Sequence, residues 1–132
     1  PNTTSQQTFK GILDGQSRAV FTGKVLVDKG ARGSNSAQLS QTLLLGTKAQ
    51  IDARPQLEIL NNDVKCSHGA TVGRLSDKEI FYLRSRGLTH EEASRLLCLG
   101  FIRELLEGVE DPGIRSVIFE NFRRNTSLGR DL

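Results

Sequence analysis

The stretch AQIDARPQLEIL, residues 49–60, alternates apolar and polar side chains. Ile51, Ala53, Pro55, Leu57 and Ile59 fall on one side, and Asp52, Arg54, Gln56 and Glu58 on the other. A period of two belongs to an extended strand with one packed face and one wet face. Pro55 cannot donate to a ladder, so the reading places a corner or bulge there rather than the middle of a flat central strand. The same grammar runs outward from this stretch. VFTGKVLV (20–27) and QTLLLG (41–46) are its next clearest pieces, and from Phe9 to about Leu75 the chain is rich in Val, Ile, Leu and Thr, with Gly, Asn and Asp as punctuation. Many short strands with frequent corners fit a barrel, a sandwich or a β-solenoid. The repeats are too imperfect to fix a period, so periodicity leaves those three open.

After Leu75 the grammar changes to helices. Ser76 with Glu79 forms a capping box ahead of IFYLRSR and Gly87 supplies a stop, which predicts a helix over roughly 77–86. Thr89 with Glu92 forms a second box, and Ala93, Leu96, Leu97, Phe101 and Leu105 keep helical spacing up to Gly108. Asp111 caps a third helix with Pro112 at its first position, and Ile114, Val117, Ile118 and Phe122 form its apolar stripe. The tail NTSLGRDL (125–132) has no periodicity and is expected to fray.

At 132 residues the chain has room for one ordinary domain with two halves, 1–75 and 76–132. Hydrophobic residues at 36% and charged residues at 25% describe a globular protein, and no apolar run approaches a membrane span. The start PNTTSQQTFK has neither the basic nor the apolar region of a signal peptide. The chain contains no methionine and reads as a piece cut from a longer protein. Eighteen basic residues against fifteen acidic give a net charge of +3, but the bases are scattered among acids with no aromatic-interleaved stripe, so nucleic acid is not an expected partner. Cys66 and Cys98 stand far apart in different kinds of structure, which argues against a disulfide and for a reducing compartment.

One motif carries chemistry. In DVKCSHGATVG (63–73) a thiol and an imidazole stand two residues apart in a chain with two of each. Continued alternation puts Val64, Cys66, His68, Ala70 and Val72 on one side, with Lys65, Ser67 and Thr71 opposite. Two residues of strand separate Cα atoms by about 6.6 Å, so both side chains can reach one metal or bound group. Plain burial fits the same pattern, since cysteine packs as a small hydrophobe and one backbone carbonyl satisfies a histidine. The pair supplies two ligands where structural zinc wants four and catalytic zinc three plus water. Any missing ligands must come from another chain or from the bound species. His90 reads as a surface residue beside Glu91 and Glu92, and Cys98, between Leu97 and Leu99, reads as packing. A cysteine nucleophile needs an adjacent base and usually a third orienting group, so an enzyme built on this pair is the weakest reading. Neither G-x-x-x-x-G-K-[ST] nor G-x-G-x-x-G occurs, so the chain is not expected to bind nucleotide.

PQLEI (55–59), DVKCSHGATVG (63–73), FYLRSRGL (81–88) and EEA (91–93) resemble, in that order, the C-terminal part of the SufB/SufD family of iron–sulfur cluster assembly proteins. The match runs from about Arg18 to Phe122. It looks like the SufD branch: SufB proteins typically read E-H-E-A-T where this chain has Ser67, His68, Gly69, Ala70 and Thr71. The resemblance implies a mainly β fold, the C-terminal part of a right-handed parallel β-helix (1–75), followed by a three-helix region (76–132). It implies a non-catalytic subunit of a SufB–SufC–SufD scaffold. In that scaffold, the resemblance implies, this subunit pairs with a SufB-like sister through the β-helix, and a SufC-like ABC ATPase engages residues 76–122. It also implies that Cys66 and His68 hold iron or a nascent cluster shared with the partner chain. The competing expectation is a structural or iron-acquisition subunit with both residues in the core. The family lives in cytoplasm or plastid stroma. Relative to that family the N-terminal half is missing, and a cut solenoid exposes unpaired rungs, so self-association into a dimer or larger through the β portion is expected.

Overall fold

Five ten-residue strands occupy the first part of the chain: β1 (Thr4–Leu13), β2 (Arg18–Val27), β3 (Asn35–Leu44), β4 (Gln50–Ile59) and β5 (Lys65–Arg74). The chain alternates between two sheets. β1, β3 and β5 form one, in that order, and β2 and β4 form the other. Every pairing is parallel, Thr4 lying beside Asn35, Arg18 beside Gln50 and Asn35 beside Lys65, so corresponding residues recur at 31, 32 and 30 positions. Each strand therefore stacks on the one two before it. This computed structural model describes residues 1–125, and residues 126–132 of the tail expected to fray lie outside the described residues. The chain divides into two compact units, Pro1–Arg74 and a second beginning at Leu75. The expectation of a mainly β portion followed by helices is met. The two sheets are not closed into a barrel.

Between the sheets, Phe9 of β1 meets Phe21 of β2 with ring centroids 4.9 Å apart and the planes tilted by 52°. The inward row of β3 is unusual. Ser36, Gln38, Ser40 and Thr42 are all buried beside Leu44, so a polar row lies where a hydrophobic one is the ordinary expectation. β1 begins at Thr4 rather than near Phe9, because its first half, TSQQ, is polar and carries no apolar alternation.

Pro55 departs from the expected corner or bulge, since it lies in the middle of β4 opposite Gly23. The reason is which side its missing donor faces. Gln50 N–H donates to Ser17 and Leu60 N–H to Val27, so the two-residue period directs the even-numbered N–H groups of β4 toward β2. Pro55 is odd-numbered, and its absent N–H falls on the open edge. The rest of β4 follows the reading except at Asp52 and Ile59: Ile51, Ala53, Pro55 and Leu57 are half-buried and Arg54, Gln56 and Glu58 exposed, but Asp52 is half-buried and Ile59 exposed.

The second unit holds α1 (Asp77–Ser85), α2 (His90–Leu106) and α3 (Pro112–Asn125). Leu88 N–H returns to the Leu83 carbonyl and Gly87 N–H to that of Arg84, a Schellman closure that Gly87 permits with φ of 99°. Ile80, Ala93, Cys98 and Leu106 are buried, and so is Arg95. In α3 the N–H groups of Gly113 and Ile114 donate to Asp111 Oδ1 at 2.7 and 3.1 Å, as the cap predicts. Its apolar stripe is real in spacing but largely uncovered, with Ile114, Val117 and Ile118 exposed.

The second capping box is complete. Glu92 N–H donates to Thr89 Oγ1 at 3.2 Å, and Thr89 N–H donates back to Glu92 Oε2 at 2.7 Å. The backbone hydrogen bond from Thr89, and then its hydroxyl, hold the Glu92 carboxyl below its ordinary range. A carboxylate with a depressed folded pKa stabilises above the ordinary glutamate value of about 4.3 and loses that contribution as pH falls through the folded pKa. Thr89→Ala is expected to destabilise the helical region by about 1 kcal/mol at neutral pH. The gap between variant and wild type should narrow in acid, and urea melts at several pH values check both.

Candidate functional site

β5 is an edge strand, paired to β3 on one side only. Asn35 N–H donates to Thr3 and Lys65 N–H to Ser34, which fixes the sense of the ladder. Odd-numbered N–H groups of β5 point to β3, and those of Cys66, His68, Ala70 and Val72 face the open edge. Side chains of the same even-numbered residues share one face. In register they adjoin Ser36, Gln38, Ser40 and Thr42, the buried row of β3.

The thiol and the imidazole are therefore brought together as the alternation requires. Cys66 is a free, half-buried cysteine and His68 is exposed. Their cross-strand neighbours on β3 are polar, Ser36 beside Cys66 and Gln38 beside His68. The pair stands on a polar column that runs across all three strands, Ser5 with Ser36 with Cys66 and Gln7 with Gln38 with His68. Gln38 Nε2 donates to Gln7 Oε1 at 3.0 Å within that column.

Sequence reasoning missed this column. Its signal was present as an internal echo, with Ser5-x-Gln7, Ser36-x-Gln38 and Cys66-x-His68 recurring at the spacing of the strand registers. The echo is one of small and polar residue types rather than of hydrophobicity, so a search for apolar periodicity passes over it. Among the described residues no group of three or more His, Cys, Asp or Glu side chains is placed to hold a metal ion. Thiolate and neutral imidazole both suit iron, so the donor set fits an iron–sulfur species whose remaining ligands come from elsewhere.

In the helical unit His90 is exposed at the start of α2 and Cys98 is fully buried, each as expected from sequence. Phe81 and Tyr82 of α1 are exposed at 75% and 57%, large values for aromatic side chains that ordinarily seek cover. Among the described residues no helix is long and apolar enough to cross a membrane.

Comparison with known proteins identifies the family of the chain. The family model for the SUF system FeS cluster assembly SufBD core domain matches residues 1–101. The iron–sulfur cluster assembly protein SufD of Escherichia coli is 43% identical over 114 residues, covering 86% of this chain and 27% of the relative. A SufBD family protein of Synechocystis is 45% identical over 109 residues, covering 83% and 24%. The chloroplastic protein ABCI7 of Arabidopsis thaliana is 39% identical over 116 residues, covering 87% and 24%. The chain thus spans about a quarter of the length of these relatives. It belongs to the SufB/SufD family, on the SufD branch.

Proposed function

We propose that the chain acts in iron–sulfur cluster assembly as part of a non-catalytic SufD-type subunit, and that Cys66 and His68 are donors to iron or a nascent cluster completed by a partner chain. One observation carries this reading: a thiol and an imidazole lie side by side on the open edge strand β5 with too few ligands of their own. Two donors on an accessible edge suit a site that a second chain closes, and the cluster is then cargo built at a junction rather than a resident cofactor.

The rest of the scaffold reading follows. Parallel strands that stack at about 31-residue intervals support a β-helix, of which residues 1–75 are one segment. The free edges of β1, β4 and β5 support pairing with a SufB-like sister subunit, and in the isolated chain support a homodimer or larger. The exposed Phe81, Tyr82, Ile114 and Val117 support docking of a SufC-like ABC ATPase on helices 76–122. Nucleotide is bound by that partner and not by this chain. Cytoplasm or plastid stroma fits both the bacterial and the chloroplastic relatives. The alternative, a structural or iron-acquisition subunit with Cys66 and His68 as core residues, is weakened by the exposure of His68.

The test is anaerobic reconstitution of the full-length protein with its SufB-type and SufC-type partners, comparing wild type with Cys66→Ala. Cluster content measured by absorbance is expected to fall at least about tenfold while the complex still co-elutes. Wild-type cluster content in the variant would return the pair to a structural role.

A further inference from the structure

Gln38 lies at the centre of the three-stranded sheet and is 3% exposed. Its Nε2 is committed to Gln7 Oε1, while its own carbonyl oxygen Oε1 is buried without a hydrogen-bond partner. Buried amide oxygens are nearly always paired, and an orphan calls for a use.

The orientation of that amide follows from Gly23, which faces it from β2. A Cβ built on Gly23 would stand 2.9 Å from both Nε2 and Oε1 of Gln38. The amide nitrogen and oxygen therefore stand equally close to Gly23. The nitrogen points toward Gln7 on β1. The oxygen is then directed toward β5, where the residue in register is His68. Adjacent strands stand about 4.8 Å apart, within reach of a glutamine and an imidazole on the same face.

We propose that Gln38 is a positioning residue for His68: its carbonyl accepts one ring N–H of the imidazole, fixing the tautomer and leaving the other ring nitrogen unprotonated and free to bind iron. Metal-ligating histidines commonly hold their second nitrogen this way, and the buried Gln7–Gln38 amide pair gives the acceptor a fixed position. Gly23 leaves room for the amide, because a Cβ there would stand 2.8 Å from Phe21 Cζ and 2.9 Å from the Gln38 amide, so a side chain must displace the ring, the amide or both. The inference rests on the reading of His68 as an iron ligand, but the contact itself is testable without iron.

The experiment is a histidine-selective 15N spectrum of the full-length protein at a pH where the ring is neutral, with His68 assigned from a His68→Gln sample. Wild type is expected to show one His68 tautomer, and Gln38→Leu a mixture, while exposed His90 stays unchanged. Gln38→Met, which keeps a side chain of similar length without the carbonyl, is expected to shift the His68 signals the same way and carries the test if Gln38→Leu does not fold. In the reconstituted complex, Gln38→Leu is expected to weaken iron retention roughly tenfold. An unchanged His68 tautomer in a folded Gln38→Leu protein overturns the proposal, even where His68→Ala loses cluster. A tautomer that shifts in Gln38→Leu while His68→Ala keeps its cluster supports the contact and refutes the iron reading alone.

Discussion

Replacing His68 with alanine in the full-length protein is expected to empty the assembled complex of cluster while leaving the complex and the fold in place. The two halves of that expectation have separate causes. His68 is exposed on an edge strand, so truncating it removes little packing, and substitutions of that kind usually shift stability by no more than about 0.5 kcal/mol. A site with two donors from this chain, by contrast, loses half of its local ligand set, and cluster content should fall at least about tenfold. His68→Cys refines the result. It restores a ligand but makes the site more anionic and less readily protonated, so assembly should recover while transfer to an acceptor protein slows. Absorbance and Mössbauer spectra read the cluster, sedimentation reads the complex, and a timed transfer assay reads release. Cluster that survives His68→Ala would remove the imidazole from the site, and unaltered transfer from His68→Cys would mean that the imidazole does not ease release.

The second large effect is a backbone one. β3 has a neighbour on both sides, and its odd-numbered N–H groups donate to β1, as Asn35 does to Thr3 and Leu45 to Leu13. Leu39 falls in that set, and its side chain is partly exposed at 37%. Leu39→Pro is expected to remove a ladder bond and drive the ring into β1, at a cost of about 2–3 kcal/mol, a large share of an ordinary domain's stability. Leu39→Ala controls for the side chain. The matching change at Pro55 should do little: Pro55→Ala restores an N–H on a side where nothing receives it, and stability should move by no more than about 0.5 kcal/mol. Urea unfolding midpoints of the three variants decide the matter. A Leu39→Pro protein as stable as Leu39→Ala would mean that β3 is not paired as described.

The contrast between Leu39 and Pro55 shows where sequence stops being informative. That residues 49–60 form a strand is legible, because apolar and polar types alternate there. That the strand lies at an edge is not, because edge status depends on which other strand arrives and on which side. The helices were legible to within a residue or two. Their signals are local, and Ser76, Thr89 and Asp111 each cap the N–H groups just after them. The pairing of each strand with the one two before it was not legible, because the registers recur as residue classes at 31, 32 and 30 positions with turns of unequal length between strands. The candidate pair stood out because Cys and His are scarce in this chain. Gln38 did not, since a glutamine with Ser36 and Ser40 at the alternate positions reads as solvent-facing until its burial is known.

The unequal turns also set how such a chain tolerates gain and loss of residues. The three registers differ by one or two positions, and the segments between strands absorb the difference without changing which strand lies on which. An extra residue among positions 28–34 lengthens a bend and leaves Cys66 and His68 facing Ser36 and Gln38. The same residue inserted within β5 ahead of Cys66 exchanges inward for outward along the rest of that strand, and turns thiol and imidazole away from the column together. Length variation among natural relatives should accordingly gather in the bends and be nearly absent from the strands, whatever the divergence of the residues themselves.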